Sequence, residues 1–155
     1  MDDIDRGLLA LLVEDATQSY AALGKAVGLS APAAHERVRK LRERGVIRRT
    51  TIEVDPAALG LGVLAHVLVD SHAWMGDPPT KEALLALPAV EEAHVVAGPA
   101  SLLLKVRTAR TEELQAVLRQ IHAIAGVSST STVVVLETFF DRPPRPAPPT
   151  DADAR

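Results

Sequence analysis

Residues 19–45, SYAALGKAVGLSAPAAHERVRKLRERG, constrain the fold more than any other stretch of this chain. Two short apolar-periodic runs flank Gly28-Leu29, and each run begins with a serine. Ser19 is placed to cap a helix over 19–27 that turns Leu23 and Val27 inward. Gly28 breaks that helix because a sharp turn there needs φ > 0. Ser30 caps a third helix with Pro32 in its first turn, where a missing N–H matters little. That helix is expected to run to about Arg44 and to stop at Gly45. Val38 and Leu41 face inward on it, continued by Val46 and Ile47. Upstream, Ile4, Leu8, Leu11 and Leu12 fall at helical spacing, with Asp2, Asp3 and Asp5 at the favourable N-terminal end. Three helices, the last two joined at a glycine turn, predict a helix-turn-helix over residues 1–48, with the third as the recognition helix.

Charge sharpens that reading. The whole chain, 155 residues with net charge -3, argues against a nucleic-acid partner. Residues 36–49, however, hold seven bases against two acids, the local excess expected of a phosphate-binding surface. The expected partner is double-stranded DNA. Ser30, Ala31, Ala33, Ala34 and His35 are the candidates for close approach to base edges. Arg37, Arg39, Lys40 and Arg42 are the candidates for phosphates. Without cysteine there is no disulfide, thiolate metal site or Cys nucleophile. No apolar run approaches the roughly 18 to 20 residues that span a bilayer, and the acidic N-terminus lacks a secretory signal. A cytoplasmic location is therefore expected.

The rest of the chain alternates. RRTTIEV, residues 48–54, is rich in β-branched residues and predicts a strand; with Asp55-Pro56 it lies in a linker over 49–60. Residues 61–140 then read as strand 62–71, helix 80–87, strand 90–97, strand 101–108, helix 112–124 and strand 130–139. The order βαββαβ predicts a ferredoxin-like domain, an antiparallel sheet with both helices on one face, so the fold class is α+β. Leu102-Leu103-Leu104 and Val133-Val134-Val135-Leu136 are apolar at consecutive positions, which predicts cover on the second face as well, a second subunit being the simplest one. Residues 141–155, with their prolines and no large apolar side chain, predict a disordered tail.

The run Ser19 to Ser30, followed by Arg37-Val38, Leu41 and Gly45, resembles the helix-turn-helix of the Lrp/AsnC, or feast/famine, regulators. The opening Asp2-Asp3-Ile4-Asp5-Arg6 and the linker Val54-Asp55-Pro56 with Leu59-Gly60 are similar to that family too. The resemblance covers roughly residues 2–140 and implies a winged-helix-like DNA-binding domain and a ferredoxin-like effector-binding and oligomerisation domain. It implies a transcription regulator that acts as a homodimer, assembles to tetramers or octamers, and responds to a small-molecule effector such as an amino acid. By the same resemblance the effector site involves Gly98, Pro99, Ala100, Ser101 and Thr132. Many relatives carry Gly-x-Tyr/Phe-Asp at that loop, and here the aromatic and acidic residues are both missing.

Other residues add little. His35, His66, His72, His94 and His122 show no metal-ligand spacing, and no catalytic motif is present, so neither a metal, a cofactor nor an enzymatic activity is expected. His35 is the exception among them, a candidate DNA contact. Trp74-Met75 is expected at an interface, in the core or at an effector cleft. Two other readings stay open: an effector-independent architectural DNA-binding protein, and an enzyme similar to the sirohaem decarboxylases on the same scaffold.

Overall fold

The computed structural model describes residues 1–146 and separates into two units, Met1–Glu53 with the chain from Phe140, and Val54–Phe139. The expected tail lies mostly outside the described residues; 141–146 take no regular secondary structure.

The first unit is built by its caps. Helix α1, Asp3–Glu14, starts where the Asp2 carboxylate accepts from the Asp5 N–H at 2.8 Å. Helix α2, Tyr20–Val27, starts where the Ser19 hydroxyl accepts from the Ala22 N–H at 3.2 Å. Gly28 ends it at φ +73°, and the Leu29 N–H returns to the Gly24 carbonyl at 2.8 Å. That tight return leaves no room at Gly24, whose added Cβ would sit 2.6 Å from the Leu29 carbonyl oxygen. Helix α3, Ala31–Glu43, begins at Ser30, whose hydroxyl accepts from the Ala33 N–H. Past α3, Gly45 takes φ +70° and the Val46 and Ile47 N–H groups bond back to the Leu41 carbonyl. Leu8, Leu23, Ala34 and Val38 are fully buried together, with Ile4, Leu11, Leu12, Tyr20, Val27 and Ile47 packed around them.

The strand expected over 48–54 does not form. β-Branched residues favour extended backbone, but a strand also needs a partner, and none of the described residues pairs with this segment.

The second unit has the expected order. Strand β1 is Val63–Ser71, helix α4 Pro78–Leu85, β2 Val90–Val95, β3 Leu102–Thr108, α5 Thr111–His122 and β4 Val127–Val134. The strands lie in the antiparallel order β2-β3-β1-β4. Leu84 of α4 and Leu114, Val117 and Ile121 of α5 bury one face together with Ala65, Val67, Val69, Leu102, Leu104 and Val106. Helix α4 starts two residues before its expected position because Pro78 and Pro79 fill its first turn behind the Asp77 cap. β4 runs three residues earlier than expected and stops at Val134, so Leu136 and Phe139 lie beyond it and stay exposed.

In the run 133–136, Val133 is 54% and Leu136 98% exposed in the single chain. In β3, burial alternates strictly: Leu102, Leu104 and Val106 point at the helices while Leu103, Lys105 and Arg107 are half-buried on the other face. At the β2–β3 edge that other face is ionic, whereas Leu64 and Leu68 of β1 and Val133 of β4 lie on the same face. Arg107 donates to Glu91 at 2.6 Å and Lys105 to Glu92 at 3.0 Å. The Lys105 ammonium, then His94, hold the Glu92 carboxyl below its usual range.

Candidate nucleic-acid interface

Helix α3 carries four distinct surfaces. Ala34, Val38 and Leu41, spaced i, i+4, i+7, form the buried stripe. At 3.6 residues per turn, Pro32, Glu36 and Glu43 lie within about 30° of the line opposite that stripe, with Arg39 and Lys40 about 50° to either side. Ala33, Arg37 and Arg44 flank the ridge toward α1, and His35 and Arg42 flank it toward α2.

The α1 flank is an ion-pair latch. Arg37 donates to Asp2 at 2.6 Å and to Asp5 at 2.9 Å, and Arg44 stands 3.9 Å from Asp5. Asp5 is only 6% exposed, so both ends of this flank fasten to a buried carboxylate on α1. The Asp5 N–H and then Arg37 lower the Asp2 carboxyl, and Asp2 and then Asp5 raise the Arg37 guanidinium. Arg37, expected at a phosphate, ties α3 to α1 through both carboxylates in the free chain.

On the α2 flank the Tyr20 and His35 rings meet at 4.6 Å between centroids, tilted by 58°. The Tyr20 hydroxyl accepts from Arg42 at 3.3 Å. His35 and Arg42 sit two turns apart, so one tyrosine braces both. Both remain exposed, as DNA contact requires.

The outer ridge is mixed in sign. Arg39 donates through Nε and Nη2 to the two Glu36 oxygens at 2.8 and 2.6 Å, and through Nη1 to Glu43. Lys40 lies 3.6 Å from Glu36. Arg39 holds the Glu36 carboxyl down at about 2 and is itself raised. Glu36 was absent from the sequence candidates, although its i, i+3 spacing to Arg39 was a readable signal.

The other expected residues divide as follows. Ser30 is exposed, with its hydroxyl engaged in the cap, and Ala31 and Ala33 are half-buried. Ala34 is not a DNA contact: it is fully buried in the core of this unit. Its spacing to Val38 and Leu41 places it inward, and its small size suits the close packing there rather than a groove.

In the second unit the expected effector residues do not converge within one chain. Gly98 and Pro99 are exposed and Ser101 half-buried, but Ala100 is 8% exposed and turns inward. Val69 pairs with Leu102 on one side and Thr130 on the other. Thr132 is therefore two strands across and two residues along from Leu102, roughly 12 Å away, outside contact with this loop. Trp74-Met75 splits in two. Met75 is buried in the core, while Trp74 is exposed on a groove of about 570 Å³ with Pro79, Leu87 and Ile124. Among the described residues no group of three or more His, Asp or Glu could hold a metal ion, and no helix is long and apolar enough to cross a membrane.

A capped helix-turn-helix with a cation-bearing third helix, joined in one chain to a ferredoxin-like unit, defines a DNA-binding transcription regulator with a separate second domain. Residues 1–42 match the AsnC-type helix-turn-helix domain and residues 63–145 the Lrp/AsnC ligand binding domain. The chain belongs to the Lrp/AsnC family of transcription regulators. It is 36% identical over 138 residues to the HTH-type transcriptional regulator FL11 of Pyrococcus horikoshii, covering 89% of this chain and 91% of that protein. The solved structure of Escherichia coli AsnC has a TM-score of 0.86 at 33% identity, covering 94% of this chain and 99% of that one. A feast or famine regulatory protein from M. tuberculosis, complexed with L-methionine, has a TM-score of 0.87 at 31% identity over 94% of this chain and 99% of that chain.

Proposed function

We propose that this regulator binds double-stranded DNA as a homodimer, laying α3 in the major groove with Lys40, Arg42 and His35 toward the duplex. The observation that carries this reading is the division of α3: one stripe builds the core, the α1 flank is latched, and the remaining surface stays exposed and bears cations. The protein acts by binding, in the cytoplasm, and not by catalysis; the relatives named above are regulators, which supports this. Lys40→Ala should weaken binding about equally on every duplex and reduce the salt slope by about one per bound site. A Lys40→Ala protein that changes base preference, measured by fluorescence anisotropy on a duplex panel, would contradict that role.

The second unit is proposed to bind a small effector of amino-acid chemistry at the loop of Gly98, Pro99 and Ser101, and to assemble dimers into tetramers or octamers. The M. tuberculosis relative complexed with L-methionine supports the amino-acid class. A thermal-shift panel of amino acids including L-methionine, run beside sedimentation velocity, tests both. A second reading, DNA binding without an effector, is favoured by the inward Ala100 and the absence of a carboxylate in this loop. An unmoved melting temperature across the whole panel would support it.

A further inference from the structure

The ridge of α3 that lies opposite the core carries a carboxylate where a surface built only to hold phosphates would carry a cation. Glu36 stands on the second turn of the helix, the region from which recognition helices bring side chains to base edges. One turn earlier, Pro32 and Ala33 add no long side chain that would hold the ridge away from the groove. Left unpaired, a carboxylate there would be repelled by the phosphates on both sides. Arg39 answers that repulsion with two parallel N–H groups, one to each Glu36 oxygen at 2.8 and 2.6 Å. Such a fork fixes the plane of the carboxylate as well as neutralising it. Each oxygen accepts one of these bonds and keeps acceptor capacity for another donor. Cytosine N4 is the donor that the major groove offers to a carboxylate.

We propose that Glu36 is the specificity-determining residue of this regulator, accepting from the exocyclic amine of a cytosine in each half-site, with Arg39 as the positioning residue that holds it. The inference rests on α3 being the DNA-binding helix. Glu43 shares the outer ridge and also touches Arg39, but it is the last residue of α3, away from the end that reaches the bases. It serves as an internal control: the same charge, on the same line, without the reading role.

The test is selection from a randomised duplex pool by the full chain, as wild type and as Glu36→Gln, Arg39→Lys and Glu43→Gln. Wild type is expected to enrich C·G over other pairs about tenfold at one position of each half-site. Glu36→Gln should lose that preference or exchange it for A·T, because the Gln amide pairs with adenine, while still retaining the pool. Arg39→Lys keeps the charge but loses the fork, so the same position should relax while the others hold. Glu43→Gln should leave every preference in place. Uniformly tighter binding by Glu36→Gln with an unchanged motif would overturn the proposal and leave Glu36 as a simple brake on affinity. Failure of the wild type to retain any duplex would instead remove the DNA-binding reading on which the proposal stands. Glu36 is not part of the core, so Glu36→Gln is expected to stay folded, with only a small fall in melting temperature from the lost ion pair with Arg39.

Discussion

Three arginines on one helix, indistinguishable by type, have three different fates. Arg37 is fastened to α1, Arg39 is clasped by its own helix, and Arg42 leans on a tyrosine hydroxyl. Partner and burial decide the role, and the partner that matters most is Asp5. Asp5→Ala should destabilise the first unit by about 1–3 kcal/mol in thermal melts, since it removes charged hydrogen bonds around a buried position. A melt unchanged from wild type would show the latch to be idle. Glu36 offers a finer check. Its carboxyl titrates at about 2 in the folded protein against an ordinary 4.5, so its contribution to stability is present above about 4.5 and is lost as pH falls toward 2. Carboxyl-detected NMR should find that low midpoint, and Arg39→Ala should raise it toward 4.5; a wild-type midpoint near 4.5 would mean the clasp does not persist in solution. The inward place of Ala34 was legible from its spacing to Val38 and Leu41. The attachment of Arg37 was not, because its partners stand more than thirty residues away in the chain.

At the scale of elements, legibility followed local chemistry. Helices α2 and α3 were readable almost to the residue, since serine caps, a glycine turn and Pro32 act within one turn of where they stand. The close return at Gly24 was hidden, because it depends on where the Leu29 carbonyl lands. Gly24→Ala should therefore cost about 1–3 kcal/mol, by the rule for overpacked sites, and lower the melting temperature of the first unit. An unaltered melt would show that the turn has slack. β4 was misplaced for a different reason. As an edge strand it holds a polar run, Ser128 to Thr132, and hydrophobic content alone points past it to residues that lie beyond the sheet. The segment 48–54 erred the other way: its composition suits a strand, and pairing is not a property of one segment.

For the whole molecule, a net charge of -3 concealed a division of labour. Residues 50–155 hold 13 of the 20 acids but only eight of the 17 bases, while α3 leaves Lys40 and Arg42 exposed beside the Arg39 pairs with Glu36 and Glu43. The βαββαβ order was legible because six elements alternate with clear turn signals, and the sheet order β2-β3-β1-β4 follows from that connectivity. The effector site was not, because residues drawn together by resemblance need not meet within one chain. The central claim, that α3 delivers cations to the phosphates of a duplex, is tested most directly by the salt dependence of binding. Fluorescence anisotropy on one duplex at several salt concentrations should give affinity falling with a log–log slope of several units per dimer, corresponding to roughly three or four phosphates per subunit. Affinity that does not change with salt would contradict it.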